Sequence, residues 1–279
     1  MTVRKAIIPV AGWGTRRLPV TKTIDKCMLP LLNRPIVDYA VQECVQAGIT
    51  DIYFVISGPA TQLRSYYEHN AQLESYLDSS GKQTQLADIM PPKNVTFHYI
   101  EQDLADPRYG TTVPLWLCRD YIGGSEQFLV VNGDQHIYRE DGGNEAKELI
   151  SQVSLSGADG GIIGIPIDDN GLYQGLFVLK ENGDLAGINE FPEPGDKTSN
   201  LKNPGFYLFS GDVMKIADKH MSGKPSKTGE YLVTDVVTEY VQSHKLTVYR
   251  AKGQYFDCGT LESWVRANNE LLELTSTQN

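Results

Sequence analysis

Short apolar runs rich in β-branched residues recur along the chain, separated by stretches whose apolar positions return every three to four residues. The runs are "AIIPVA" from Ala6, "DIYFVIS" from Asp51, "VTFHYI" from Val95, "FLVVNGD" from Phe128, "GGIIGIP" from Gly160, "GLFVLK" from Gly175, "FYLFS" from Phe206 and "LTVYRA" from Leu246. Both faces of such strands are apolar, which predicts strands covered on two sides. The helical spacing is clearest over 36–47, 145–155, 231–243 and 261–274. Strands alternating with helices predict an α/β fold whose sheet is largely parallel, with helices on both faces. In the last helix Leu261, Trp264, Val265, Asn268, Leu271 and Leu272 fall largely on one face, which predicts packing against the body or a partner subunit. Two segments break the rhythm: 79–94, "SSGKQTQLADIMPPKN", and 191–204, "FPEPGDKTSNLKNP", are rich in turn residues and read as loops.

Composition narrows the function. At 279 residues and 41% hydrophobic, the chain has ample material for a buried core. Its formal charge of −10 argues against nucleic acid or an acidic membrane surface as partner, because both reward clustered Lys and Arg. The first residues lead straight into strand-like sequence without the zones of a signal peptide, and no apolar run reaches membrane-spanning length. A cytoplasmic protein is therefore expected. Cys27, Cys44, Cys118 and Cys258 are widely spaced and expected to be reduced, and the five scattered histidines give no support to a zinc site.

The chemistry begins in "AGWGTRRLPVTKTIDKCMLP", just after the first strand. A glycine turn there presents backbone N–H groups that can approach phosphate oxygens without a Cβ in the way. It is not a dinucleotide fingerprint, because Arg17 stands where the third glycine would be. It is not a phosphate-loop ATPase either, because Lys22 lacks the preceding glycine. What remains is Gly12-x-Gly14-Thr15-Arg16 with Lys26 downstream. An arginine fork and a mobile lysine can hold one polyanion from two sides.

This spacing resembles the sugar-nucleotide pyrophosphorylases, nucleotidyltransferases that join a nucleoside triphosphate to a sugar 1-phosphate. Their G-x-G-T-R-x-x-P-x-T-x-x-x-P-K-x-(M/L)-x-P signature is followed from Gly12 to Pro30, except that Asp25 replaces the proline before Lys26. "KAIIPVAGWGTRRLPVTK", "QECVQAGITDIYFV", "GEYLVTDVV" and "FDCGT" look most like the UTP–glucose-1-phosphate uridylyltransferase branch. The resemblance implies a Rossmann-like mixed, mostly parallel sheet with sugar-binding insertions, in one nucleotidyltransferase domain over 1–279. Residues 1–135 would mainly bind nucleotide, 136–260 mainly sugar, and 261–279 would form a C-terminal helix and tail.

The resemblance also implies site residues. Ala11, Gly12, Gly14 and Thr15 would meet the nucleotide; Gln102, with Gly110 in "YGTT", would read the base. Asp134, at the end of "FLVVNGD", and Asp257, in "YFDCGT", would hold Mg2+, a hard ion that takes few protein oxygens when phosphates supply the rest. Read alone, Asp134 is equally a turn residue and Asp257 a helix cap. Gly175, which follows Tyr173 by two, would lie with Glu190 and Asn203 at the sugar. Phe191 departs from the family, which usually carries a lysine there for the sugar phosphate. Lys197 or Lys202 on the adjoining loop would have to reach in instead.

The expected reaction is attack by a sugar 1-phosphate oxygen on the α-phosphorus of UTP, giving UDP-glucose and pyrophosphate, with Arg16, Lys26 and Asp134 as the catalytic groups. Phe191 and Asp25 leave a second reading open, a nucleotide-sugar-binding or regulatory relative with little turnover. Thymidylyl or cytidylyl transfer is the alternative within the superfamily. The apolar last helix and the resemblance suggest a homodimer or homotetramer.

Overall fold

The computed structural model describes residues 2–167, 174–193 and 199–276. The chain opens with strand β1 (Lys5–Pro9), the short paired strands β2 (Pro30–Leu31) and β3 (Arg34–Pro35), helix α1 (Ile36–Gln46) and β4 (Asp51–Ser57). Helices α2 (Thr61–Tyr67), α3 (Ala71–Ser79) and α4 (Gln83–Asp88) lead to β5 (Thr96–Gln102), α5 (Thr112–Leu117), β6 (Gln127–Val131) and β7 (Gln135–Tyr138). Then come α6 (Glu145–Ser156), β8 (Gly160–Pro166), β9 (Leu176–Leu179), β10 (Leu185–Asn189), β11 (Leu201–Lys202) and β12 (Phe206–Ser210). Helices α7 (Val213–Met221) and α8 (Val233–Tyr240), strands β13 (Leu246–Arg250) and β14 (Gln254–Asp257), and helix α9 (Leu261–Ser276) complete it.

One mixed sheet organises these elements, as the resemblance implies. Its order is β10-β9-β11-β8-β12-β6-β1-β4-β5, with β13 also paired to β8. The block β6-β1-β4-β5 is parallel throughout. Strand β12 joins it antiparallel to β6 and carries the sheet on to β8. Alternation sorts the strand side chains between two cores. Ala6, Ile8, Ile52, Phe54 and Ile56 face one, under α1 and α6; Ile7, Tyr53, Val55, Phe128 and Val130 face the other, under α5, α7 and α8. Burial on both faces is why these strands read as unbroken apolar runs. All four cysteines are buried and unpaired.

The helix boundaries follow local chemistry. In α1, Ile36, Val37, Ala40, Val41 and Cys44 are buried at helical spacing, and Gly48, with φ of 93°, turns the chain out of the helix. Asn144 caps α6 by accepting the Lys147 N–H at 2.7 Å, and Gly157 ends it in the left-handed region.

Four expectations are corrected. The helix expected over 231–243 is shorter, because the Tyr231 N–H donates to the Tyr109 carbonyl and its own carbonyl accepts from Thr112 N–H, both at 2.9 Å. The segment 79–94 contains α4, and 191–204 contributes β11 to the sheet. In α9 the fully buried seam is Ser263, Ala267 and Leu271, resting among Leu29, Leu31, Ile36 and Phe256, while Leu261, Val265 and Leu272 are exposed.

Between α1 and α6 lies a carboxyl with an unusual proton affinity. Burial pushes Glu43 up to about 7; Glu145 adds to the rise, and the Ala146 and Glu145 N–H groups oppose it. The native state thus holds a proton that the unfolded chain, near its ordinary value of 4.5, releases earlier. Stability therefore falls as pH rises between those two values. Glu43→Gln removes this loss. Its thermal midpoint should match the parent near pH 4.5 and exceed it by about 6 °C at pH 8, for roughly 3 kcal/mol. An advantage that does not grow with pH would contradict this reading.

Candidate active site

Parallel pairing places the carboxyl ends of β1, β4, β5 and β6 along one edge of the sheet, where folds of this kind bind ligands. Ala11 and Gly12 lie just beyond β1, Gln102 ends β5, and Gly133-Asp134 follows β6. A Cβ at Gly133 would come 2.8 Å from Val10 Cγ1 and 3.1 Å from Ile8 Cγ2, so glycine lets this turn lie flat on β1. Strand β7 then pairs antiparallel with β14, setting Asp257 opposite Gln135. The Cys258 N–H donates to the Asp134 carbonyl at 3.2 Å. The two predicted metal carboxylates are thus on adjoining strand ends. The buried Glu145 secures the approach to β14 by accepting from the N–H groups of Lys252 at 3.0 Å and Gly253 at 2.7 Å.

The glycine loop folds over this edge. Gly14 takes φ of 65°, and its carbonyl accepts from Thr21 Oγ1 at 2.9 Å and Arg17 N–H at 2.8 Å. Thr15 opens a 3-10 turn over Thr15–Arg17 and is exposed, as are Gly12 and Arg16. Lys26 is ion-paired with Asp134. Burial raises the Asp134 proton affinity, but Lys26, Arg17 and Arg16 together outweigh it and hold the carboxyl below its ordinary value. Arg16 stands on the Asp257 side: a Cβ at Gly259 would come 3.7 Å from Arg16 Nη2 and 2.9 Å from Asp257 Oδ1.

Arg17 is the residue that motif reading missed. It is 1% exposed, and Arg17 Nη1 donates to the Lys26 carbonyl at 3.3 Å. Arg17 Nε and Nη2 are buried without a hydrogen-bond partner among the described residues. Burial disfavours its charge, while Asp134, Cys258 and Asp257 favour it. The only sequence signal was a second arginine in "TRR", which reads as a solvated charge until the loop is folded. Cys258 is no nucleophile here, since burial pushes its thiol up to about 12.

Asp25, which replaces the family proline, has φ of −55°, an angle proline would impose. Its N–H, which proline would lack, donates to Gln62 Oε1 at 2.9 Å, and Gln62 Nε2 donates to the Thr23 carbonyl at 3.0 Å. The substitution thus ties the loop to α2.

Across the edge, the predicted sugar residues are drawn together by backbone bonds. Gly175 donates to the Glu190 carbonyl at 3.1 Å, and its carbonyl accepts from the Asn203 N–H at 2.8 Å. Gly175, at φ of 69°, allows this knot, since a Cβ would meet Asn203 Cβ at 3.3 Å. Burial raises the Glu190 carboxyl above its ordinary value; Thr234 opposes the rise, and Asp235 and Glu230 add to it. The Asn203 side chain forms its own turn, accepting from Gly205 N–H at 2.9 Å and donating to Tyr207 Oη at 2.6 Å. Asn132, two residues before Asp134, donates from Nδ2 to the Pro204 carbonyl at 3.2 Å, so the two halves of the edge meet there. Phe191 is 50% exposed. Tyr173 and Lys197 lie outside the described residues.

Gly110 has a reason other than base contact. At φ of 128°, it packs where a Cβ would overlap the Tyr231 backbone. Gln102 is half-buried opposite Ser57. Among the described residues no group of three or more His, Cys, Asp and Glu side chains is arranged for a metal.

A strand edge with a basic glycine loop and aspartates at adjoining strand ends accords with a nucleotidyl transferase, and the chain belongs to that family: its model matches residues 5–273. More particularly, the chain is 31% identical over 277 residues to UTP–glucose-1-phosphate uridylyltransferase of Escherichia coli strain K12, covering 95% of this chain and 89% of that one. It is 30% identical over 266 residues to the enzyme of the same name from Bacillus subtilis strain 168, covering 92% and 87%. Among solved structures, the UTP-bound UGPase from Acinetobacter baumannii superposes with a TM-score of 0.85 at 27% identity, over 97% of this chain and 93% of that one. A UDP-glucose pyrophosphorylase complexed with UDP-glucose gives 0.79 at 26% identity, over 98% and 99%.

Gly110→Ala should lower unfolding free energy by about 2–4 kcal/mol, because the Tyr231 backbone cannot withdraw without breaking its two bonds to the 109–112 segment. Denaturant titration measures it, and a loss under about 0.5 kcal/mol would show that the segment relaxes freely.

Proposed function

We propose that this protein transfers a uridylyl group from UTP to glucose 1-phosphate. An oxygen of the sugar phosphate attacks the α-phosphorus in line, the bond to the α–β bridging oxygen breaks, and pyrophosphate leaves. The observation that carries this reading is the convergence of the Lys26–Asp134 pair, Arg16 and Asp257 on one strand edge that also holds the Gly175–Glu190–Asn203 knot. Relatives bearing the UTP–glucose-1-phosphate uridylyltransferase name at about 30% identity over most of the chain support the choice of base and sugar.

The work of such a site is positioning and charge neutralisation. Ala11, Gly12, Gly14 and Thr15 are assigned to the nucleotide, with the base read by this glycine loop together with Gln102 and the turn at Gly110. Arg16 and Lys26 restrain the departing pyrophosphate. Glu190 accepts hydrogen bonds from sugar hydroxyls, while Asn203 shapes the turn beneath them. No general base is needed, because the attacking phosphate oxygen is already ionised.

The residues present suit Mg2+. Asp134 and the exposed Asp257 offer carboxylate oxygens at adjoining strand ends with no third acidic ligand among the described residues, the sparse protein set of an ion completed by phosphates. Bound there, Mg2+ would supply charge neutralisation at the reacting phosphates.

No helix among the described residues is long and apolar enough to cross a membrane, and we assign the protein to the cytoplasm. The exposed Leu261, Val265 and Leu272 on α9 favour a homodimer or homotetramer.

Asp134→Asn should abolish most Mg2+-dependent pyrophosphate release while leaving the circular dichroism spectrum unchanged, and near-parental turnover would remove Asp134 from the mechanism. Arg16→Ala should cost on the order of 10²-fold in kcat/KM. A change below about threefold would exclude Arg16 from the transition state.

A further inference from the structure

The cations assigned so far all come from one loop. Arg16, Arg17 and Lys26 lie within eleven residues of each other on the triphosphate side. The reaction proposed above must also bring in a sugar phosphate dianion, and the residue following Glu190 is a half-exposed phenylalanine.

Lys202 occupies the place where that charge is needed. It ends β11, pairing with Ile165 of β8 and Leu176 of β9, and is followed directly by Asn203 of the sugar knot. Its ammonium lies 4.5 Å from the centre of the Tyr255 ring. Tyr255 is on β14, two residues before Asp257, and Tyr255 Oη donates to Gln135 Oε1 at 3.0 Å, next to Asp134. The amine is therefore seated on an aromatic face between the polar knot and the two aspartate-bearing strand ends. Burial pushes its pKa below the ordinary lysine value, with Asp257 opposing that shift and Arg266 adding to it. A partly desolvated ammonium packed against a ring gains by meeting a phosphate.

We infer that Lys202 binds the phosphate of the sugar 1-phosphate, serving the sugar side as Lys26 serves the triphosphate side. This rests on the uridylyltransferase reading. In the forward direction it neutralises one charge on the attacking phosphate; in pyrophosphorolysis it holds the same group as it leaves.

The test uses the full chain with UTP, glucose 1-phosphate and Mg2+, comparing the parent with Lys202→Met and Lys202→Arg. Lys202→Met should raise KM for glucose 1-phosphate at least tenfold and change KM for UTP less than twofold, and Lys202→Arg should recover part of the loss. An unchanged KM for glucose 1-phosphate, or equal rises in both KM values, would overturn the assignment. Calorimetric UTP binding equal to the parent verifies the fold, and Lys202→Gln is read in the same way should the methionine variant not fold. A parent that forms no UDP-glucose would count against the uridylyltransferase reading itself. Lys202 is then judged by calorimetry with glucose 1-phosphate: tenfold weaker binding to Lys202→Met supports it, and equal binding, or none to the parent, overturns it.

Discussion

The carboxylate of Asp134 leaves the carboxyl end of β6 and meets the ammonium of Lys26, which arrives from a loop more than a hundred residues earlier in the chain. Partial burial at that strand end favours the protonated acid. Here three basic side chains of one loop keep it ionised. The loop is held to that task by Thr21 on the Gly14 carbonyl, Gln62 on Asp25, and Arg17 beneath the Lys26 carbonyl. Remove the carboxylate and these cations repel one another. Remove the cations and burial pushes the carboxyl's proton affinity up unopposed. Each side of the site needs the other before any substrate arrives.

The sheet supplies the rest of the arrangement. Parallel β6, β1, β4 and β5 put Gly12, Gln102 and Asp134 on one edge, and antiparallel β12 returns the chain to that edge, so the Asn203–Gly205 turn lies against Asn132. The β7–β14 pairing then delivers Asp257 from late in the chain to the strand next to Asp134. Two polyanionic substrates can share this edge only where positive charge reaches both sides, which is the physical ground for pairing the basic loop with Lys202 across Tyr255.

Much of this was legible in sequence because burial on two faces writes itself as apolar runs, and a polyanion site writes itself as spaced glycine and basic residues. The strands 51–57, 160–166 and 206–210 fall where the pattern puts them. Gly175, Glu190 and Asn203, far apart in the chain, are joined by backbone bonds. What stayed hidden depends on long-range contacts. Arg17 differs from Arg16 only in the direction its side chain takes once the loop is folded. That Gly110 also has to make room for the Tyr231 backbone depends on a segment more than a hundred residues away. The apolar positions of α9 gave the helix but not which of them would be covered, because that depends on how the helix rests on Leu29, Leu31 and Phe256.

The central claim is that this edge joins a nucleoside triphosphate to a sugar 1-phosphate, with uracil and glucose preferred. It is tested most directly by a matrix of nucleoside triphosphates against sugar 1-phosphates, each pair scored for Mg2+-dependent pyrophosphate release. The account predicts that UTP with glucose 1-phosphate has the highest kcat/KM in the matrix. Release that is faster with a thymidine or cytidine triphosphate, or no release from any pair, would contradict it.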